Sequence, residues 1–172
     1  METDASNPLI EPQVYCAHTE MVAVDALIEN PRNPNRHPQN QIVLLSRIIR
    51  HQGWRNPIVV SKRSGFVVKG HGRLMAAKLL GVATVPVDYQ DYVNEAAEWA
   101  DMVADNKIAE LSETDEDALK SIIRELDGQI DLDLTGFEQN ELDDILADVP
   151  EDVPDEMELE AEQTAASKQA SL

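Results

Sequence analysis

Val67-Val68-Lys69-Gly70-His71-Gly72-Arg73-Leu74-Met75-Ala76-Ala77-Lys78 reads as a short strand, a tight glycine turn and the opening turns of a helix. Phe66, Val67 and Val68 are apolar and strand-prone. Gly70 and Gly72 flank His71, so the backbone can turn sharply and leave room for a ligand. Leu74, Ala77 and Leu80 recur at helical spacing, and Gly81 supplies the stop. A helix start offers free N–H groups and the positive end of a dipole, which suits an anion. His71 and Arg73 add a polar and a cationic side chain, so a phosphate is the natural occupant. Spacing alone also fits a tight connection in which Arg73 is merely exposed.

The flanking segments read as a small α+β domain. Upstream, Glu20–Leu27 gives a first strand and a turn into loop. Asn30-Pro31-Arg32-Asn33-Pro34-Asn35-Arg36-His37-Pro38 has too many prolines and asparagines for regular structure, yet it carries Arg32, Arg36 and His37. Pro38 opens a helix whose apolar face is Ile42, Leu45, Ile48 and Ile49, and Gly53 ends it. Ile58-Val59-Val60 forms a buried strand, and Arg63-Ser64-Gly65 turns it into Phe66–Val68. Thr84–Tyr89 is a further strand, with Pro86 pointing to an edge or a bulge. Asn94–Leu111 is helical, with an apolar stripe of Ala97, Ala100, Val103, Ala104 and Ile108. Thr114 is the expected N-cap of the next helix, whose core face is Leu119, Ile122, Ile123 and Leu126.

Four segments follow: a disordered lead over 1–19, an α+β domain over 20–111, a helical extension over 112–147 and a disordered acidic tail over 148–172. The net charge of −19 is distributed unevenly. Residues 1–90 hold ten Lys or Arg against seven Asp or Glu, and residues 91–172 hold four against twenty-six. A polyanion-facing front and a solubilising or partner-binding rear are the expectation. No run approaches the length of a membrane span, and the first twenty residues lack the pattern of a secretory signal. The lone Cys16 forms no internal disulfide, so a cytoplasmic setting is expected.

With these residues in view, residues 20–111 resemble the N-terminal domain of the ParB/sulfiredoxin superfamily. The resemblance runs in order through Asn33-Pro34-Asn35-Arg36, Pro57-Ile58-Val59-Val60, Gly70-His71-Gly72-Arg73, Leu80-Gly81, Val85-Pro86-Val87 and Ala104-Asp105-Asn106-Lys107. The wording looks most like the ParB-like domains of phages, prophages and mobile elements, which are often fused to or encoded beside DNA methyltransferases. The resemblance implies a small mixed sheet with helices and a pocket for a nucleoside triphosphate such as CTP or ATP. Arg36, Gly70, His71, Gly72, Arg73 and Asn106 would contact the nucleotide. Asp105 and Asn106 would hold Mg2+. Gly72 and Ala109 stand where family members carry arginines. His71 stands where sulfiredoxins carry their cysteine, and Cys16 is far from it in the sequence, so that chemistry is not expected.

Three functions compete at this level. The first is nucleotide binding in a DNA-related process, with slow Mg2+-dependent hydrolysis in which His71 orients a water. The second is a DNA-directed nuclease or an accessory subunit of a DNA methyltransferase, with Arg36, His37, Arg47, Arg50, Arg55 and Arg73 along the phosphates. There Trp54 would either stack on a base or sit in the core. The third is an acidic adaptor without catalysis. A nucleotide, DNA, a methyltransferase or other phage protein, and a second copy of the chain are the partners in view, and a membrane is not.

Overall fold

The computed structural model describes residues 11–147. They fall into two compact units that part between Thr114 and Asp115. The first contains four strands, β1 (Glu20–Ala23), β2 (Ile58–Ser61), β3 (Val67–Lys69) and β4 (Thr84–Gln90), and three helices, α1 (Gln39–Gln52), α2 (His71–Leu80) and α3 (Glu95–Glu110). The strands form one mixed sheet in the order β1-β4-β2-β3. β1 and β4 are antiparallel, β2 and β4 parallel, and β2 and β3 a hairpin pair. Helix α2 lies in the crossover from β3 to β4, as expected of a small α+β domain.

The core lies between the sheet and the α1–α2 pair. Ile42 and Ile49 of α1 and Leu74, Ala76, Ala77 and Leu80 of α2 meet Ile58, Val60, Val67, Val85 and Val87 of the sheet. Ala76 and Ala77 are fully covered, and their small side chains let α2 approach closely. Each helix end follows its local signal. Pro38 caps α1, whose last turn closes with the Gly53 N–H donating to Ile49. Gly81, at φ 71°, ends α2 in the left-handed conformation. Asn94 caps α3 by accepting from the Ala97 N–H.

Three expectations change in this unit. Residues 11–19 are not a loose lead: Tyr15 N–H donates to Trp54 O at 3.0 Å, Trp54 N–H to Gln13 O at 2.7 Å and Ala83 N–H to the Glu11 carboxylate at 3.1 Å. Residues 1–10 lie outside the described residues, as does the expected tail over 148–172. Pro86 sits on an inner strand rather than an edge. The β2 ladder begins one residue later, at Ile58 and Val87, so the missing N–H falls outside it. Helix α3 does not bury its alanine–valine stripe. Val103 and Ile108 are exposed, and Glu98 and Met102 are buried instead. Of the two readings of Trp54 the core one holds: it is 1% exposed and offers no face to a base. Cys16, distant in sequence, packs against that core within electrostatic reach of Arg73, and burial raises its pKa.

The second unit holds α4 (Glu116–Leu126), a short 3-10 turn (Leu132–Thr135) and α5 (Gln139–Ala147). Asp115, rather than Thr114, caps α4 by accepting from the Ala118 N–H at 3.0 Å. Ile123 of α4 and Leu142 of α5 are almost fully buried, and the Arg124 guanidinium donates to Ile145 O at 3.1 Å.

Candidate functional site

Gly70 has φ 88° and ψ 28°, a left-handed conformation that a side chain resists. This bend turns β3 directly into α2. A Cβ at Gly70 would lie 2.9 Å from Nη2 and 3.0 Å from Nε of Arg73. The guanidinium therefore rests on the bare backbone of the turn; the positive φ requires glycine, and a Cβ would also push the Arg73 side chain aside. The first backbone bond of α2 runs from Leu74 N–H to Gly70 O at 3.0 Å. The N–H groups of His71, Gly72 and Arg73 precede it and have no partner within the helix.

These amides open on a cavity of about 190 Å³. Gly70, His71, Gly72 and Arg73 form its floor. Asn33, Asn35 and His37 come from the proline-rich loop, Gln41 and Leu45 from α1, Lys69 from β3, and Asp105 and Asn106 from α3. His71 is 6% exposed and its Nε2 has no hydrogen-bond partner. Arg73 Nε is likewise buried and unpartnered. A buried guanidinium N–H without an acceptor and a buried imidazole nitrogen without a partner, beside three amides unpaired within the helix, give the cavity the character of an anion receptor.

Burial dominates the electrostatics. It lowers the His71 pKa, with His37 pushing the same way and Glu29 opposing. His71 is therefore neutral at pH 7. Burial also lowers the Arg73 pKa against the pull of Asp105 and Cys16, but a guanidinium remains a cation there. For Lys69 the desolvation cost is outweighed by Asp101 and Asp105, so its pKa rises. Its Nζ lies 3.0 Å from Asp101 and 3.6 Å from Asp105. Asp101 in turn accepts from the Tyr92 hydroxyl at 2.8 Å.

Most of the expected residues converge here. Gly70, His71, Gly72, Arg73, Asp105 and Asn106 all line the cavity, while Arg36 is exposed and does not. The neighbouring Arg32 lies over the Trp99 ring on α3, its Cζ 4.2 Å from the centroid. The loop thus contributes asparagines and His37 to the lining instead of Arg36. Asp105 faces Lys69, and Asn106 donates its Nδ2 to Met102 O at 3.0 Å, leaving Oδ1 as the oxygen available to a ligand. Among the described residues no group of three or more His, Cys, Asp or Glu could hold a metal. One carboxylate and one amide oxygen nevertheless suit a Mg2+ that arrives with phosphates, because Mg2+ commonly takes one or two carboxylates and completes its shell from substrate and water.

Sequence reasoning assigned no role to Lys69, Gln41 or Glu98. Glu98 is 1% exposed and accepts from Ser61 Oγ at 2.7 Å, Ser64 Oγ at 2.8 Å and Arg63 Nε at 3.1 Å. It pins α3 to the β2–β3 hairpin and so sets where Asp105 and Asn106 fall. Its partners in the chain are 34 to 37 residues away, which no local spacing reveals. Lys69 was legible as a cation at the end of the strand, directly before the glycine turn.

A glycine-turned helix start on a small mixed sheet, open to an anion, defines the class of domain. Residues 11–106 match the family model of the ParB N-terminal domain, and the chain belongs to that family. It is similar to the ParB-like nuclease domain-containing protein YnaK of Escherichia coli (strain K12), with 38% identity over 55 residues. That segment is 32% of this chain and 62% of the relative's length. Among solved structures, the C-terminally truncated chromosome-partitioning protein ParB of Caulobacter crescentus complexed with CTP-gamma-S has the same fold. The TM-score is 0.60 at 21% identity, covering 88% of this chain and 89% of that one. A structure of the same truncated protein complexed to the centromeric parS site gives a TM-score of 0.45 at 17% identity, over 77% and 74% of the two chains. Among the described residues no helix is long and apolar enough to cross a membrane.

Proposed function

We propose that the cavity at the start of α2 binds the phosphates of a nucleoside triphosphate, CTP or ATP, together with Mg2+. One observation carries this reading: His71 and Arg73, each with a buried side-chain nitrogen that lacks a partner, line one small cavity together with the first residues of α2. Pockets for whole drug-sized ligands span about 300–1,000 Å³. At about 190 Å³ this one suits the phosphates, with the base outside it. Support comes from the ParB of C. crescentus, a protein of this fold crystallised with CTP-gamma-S. Asp105 and Asn106 would hold the metal ion, whose charge offsets that of the phosphates. His71, kept neutral by burial, is the group that orients a water in slow hydrolysis. We further infer a cytoplasmic role in DNA-related processes of a phage or mobile element, alongside a DNA methyltransferase. That setting rests on the resemblance of the motifs to such domains.

Titration calorimetry with CTP, ATP and GTP, with and without Mg2+, tests the reading against Arg73→Ala. Saturable, Mg2+-dependent heat that falls at least tenfold in affinity in the variant is expected, since a hydrogen bond to a charged group contributes about 1.5–3 kcal/mol. No heat from any nucleotide overturns it. The name of the E. coli relative favours a second reading, a nuclease. Nicking of supercoiled plasmid that persists in the absence of nucleotide would move the assignment there.

A further inference from the structure

We propose that Lys69 is a second phosphate-contacting cation of this cavity, and that Asp105 serves as its counter-anion until phosphate takes that place. The inference rests on the nucleotide reading above and adds to it a residue and an order of events. Lys69 ends β3 immediately before the Gly70 turn and lines the same cavity as His71 and Arg73. Its side chain is 26% exposed, and its ammonium is held between two carboxylates of α3.

The two carboxylates beside Lys69 are not equivalent. Asp101 lies 3.0 Å from Nζ through Oδ1, and its Oδ2 accepts from the Tyr92 hydroxyl. It is anchored from both sides. Asp105 lies at 3.6 Å, beyond an ordinary N–H···O bond, and is 48% exposed. Asp105 is also within electrostatic reach of Arg73. One loosely held carboxylate thus faces both cations of the cavity, the place a phosphate would occupy. A phosphate carries more charge and accepts charge-assisted bonds from Lys and Arg. It would displace Asp105 from Lys69 while Asp101 keeps the ammonium in place. The released Asp105 then becomes available to the cation that accompanies a triphosphate.

Two substitutions read this out by calorimetry with CTP and with inorganic triphosphate, each in EDTA and in Mg2+. Lys69→Met keeps the aliphatic stem and is expected to weaken both ligands about tenfold or more. Asp105→Asn removes the internal competitor. It is expected to tighten metal-free triphosphate several-fold and to reduce the gain from Mg2+. If Lys69 only tethers α3 to β3, Asp105→Asn will leave metal-free binding unchanged or weaker, and the inference is overturned. Wild-type binding that is lost in Arg73→Ala but unaltered in Lys69→Met also overturns it, while leaving the nucleotide reading intact. Absence of binding by the wild-type chain removes both.

Discussion

Replacing Glu98 with alanine tests how α3 is held over the cavity. The carboxylate is buried, and three donors converge on it from the β2–β3 turn. Ser61 is 0% exposed, so its hydroxyl would be left without an acceptor, at a cost of about 1–3 kcal/mol. Arg63 is 34% exposed and can turn to water, so its ion pair adds about 1 kcal/mol at most. Ser64 is partly exposed and also finds water. The sum is about 3 kcal/mol, at the lower end of the cost of breaking a buried ion pair. For a unit of this size each kcal/mol moves Tm by about 4–8 °C, so Glu98→Ala should lower it by about 12–24 °C. Glu98→Gln keeps an oxygen acceptor for the serines and should cost about half as much. Thermal unfolding followed by circular dichroism reads both. A fall of less than about 3 °C in the alanine variant would refute the reasoning, because the network would then be contributing nothing net.

Gly70→Ala forces a Cβ into the left-handed region and against the Arg73 guanidinium. It should cost about 1–2 kcal/mol in urea unfolding and weaken nucleotide binding as Arg73→Ala does. Asn94→Ala removes the acceptor of the Ala97 N–H and should cost about 1 kcal/mol with the cavity residues otherwise unchanged, a loss that Asn94→Ser largely restores. Burial would raise the pKa values of Glu98 and Asp101, but their hydrogen bonds and cations outweigh it and both are depressed. Their contribution is therefore complete above the unfolded-state values of about 4 and is lost as pH falls through the lower folded values. Unfolding free energy should decline below about pH 4, and the decline should be shallower in Glu98→Gln.

The local signals in this chain were the readable ones. Pro38, Gly53, Gly70, Gly81 and Asn94 end or begin helices where their own backbone chemistry requires, so the frame of α1, α2 and α3 followed from the sequence. Pro86 misled because a strand's place in the sheet depends on which distant strands pair with it. The alanine–valine stripe of α3 misled for a related reason. Ser61, Arg63 and Ser64 make a polar residue, Glu98, the buried contact, and Val103 and Ile108 are left outside. The site divided in the same way. Gly70 to Arg73 are contiguous and were visible together, and Asp105 and Asn106 came from the family resemblance. Arg36 was placed with them on resemblance too, but it is exposed and off the cavity lining, while Arg32 of the same loop lies over Trp99. Lys69 acquires its role only once α3 brings Asp101 and Asp105 against it.

Amide chemical shifts of the 15N-labelled chain, followed during titration with CTP and Mg2+, test the central claim most directly. The largest saturable changes should fall on the N–H groups of His71, Gly72 and Arg73, with smaller ones at Asp105 and Asn106, and should vanish in Arg73→Ala. Changes confined to other parts of the chain, or none at millimolar nucleotide, would contradict a phosphate site at the start of α2.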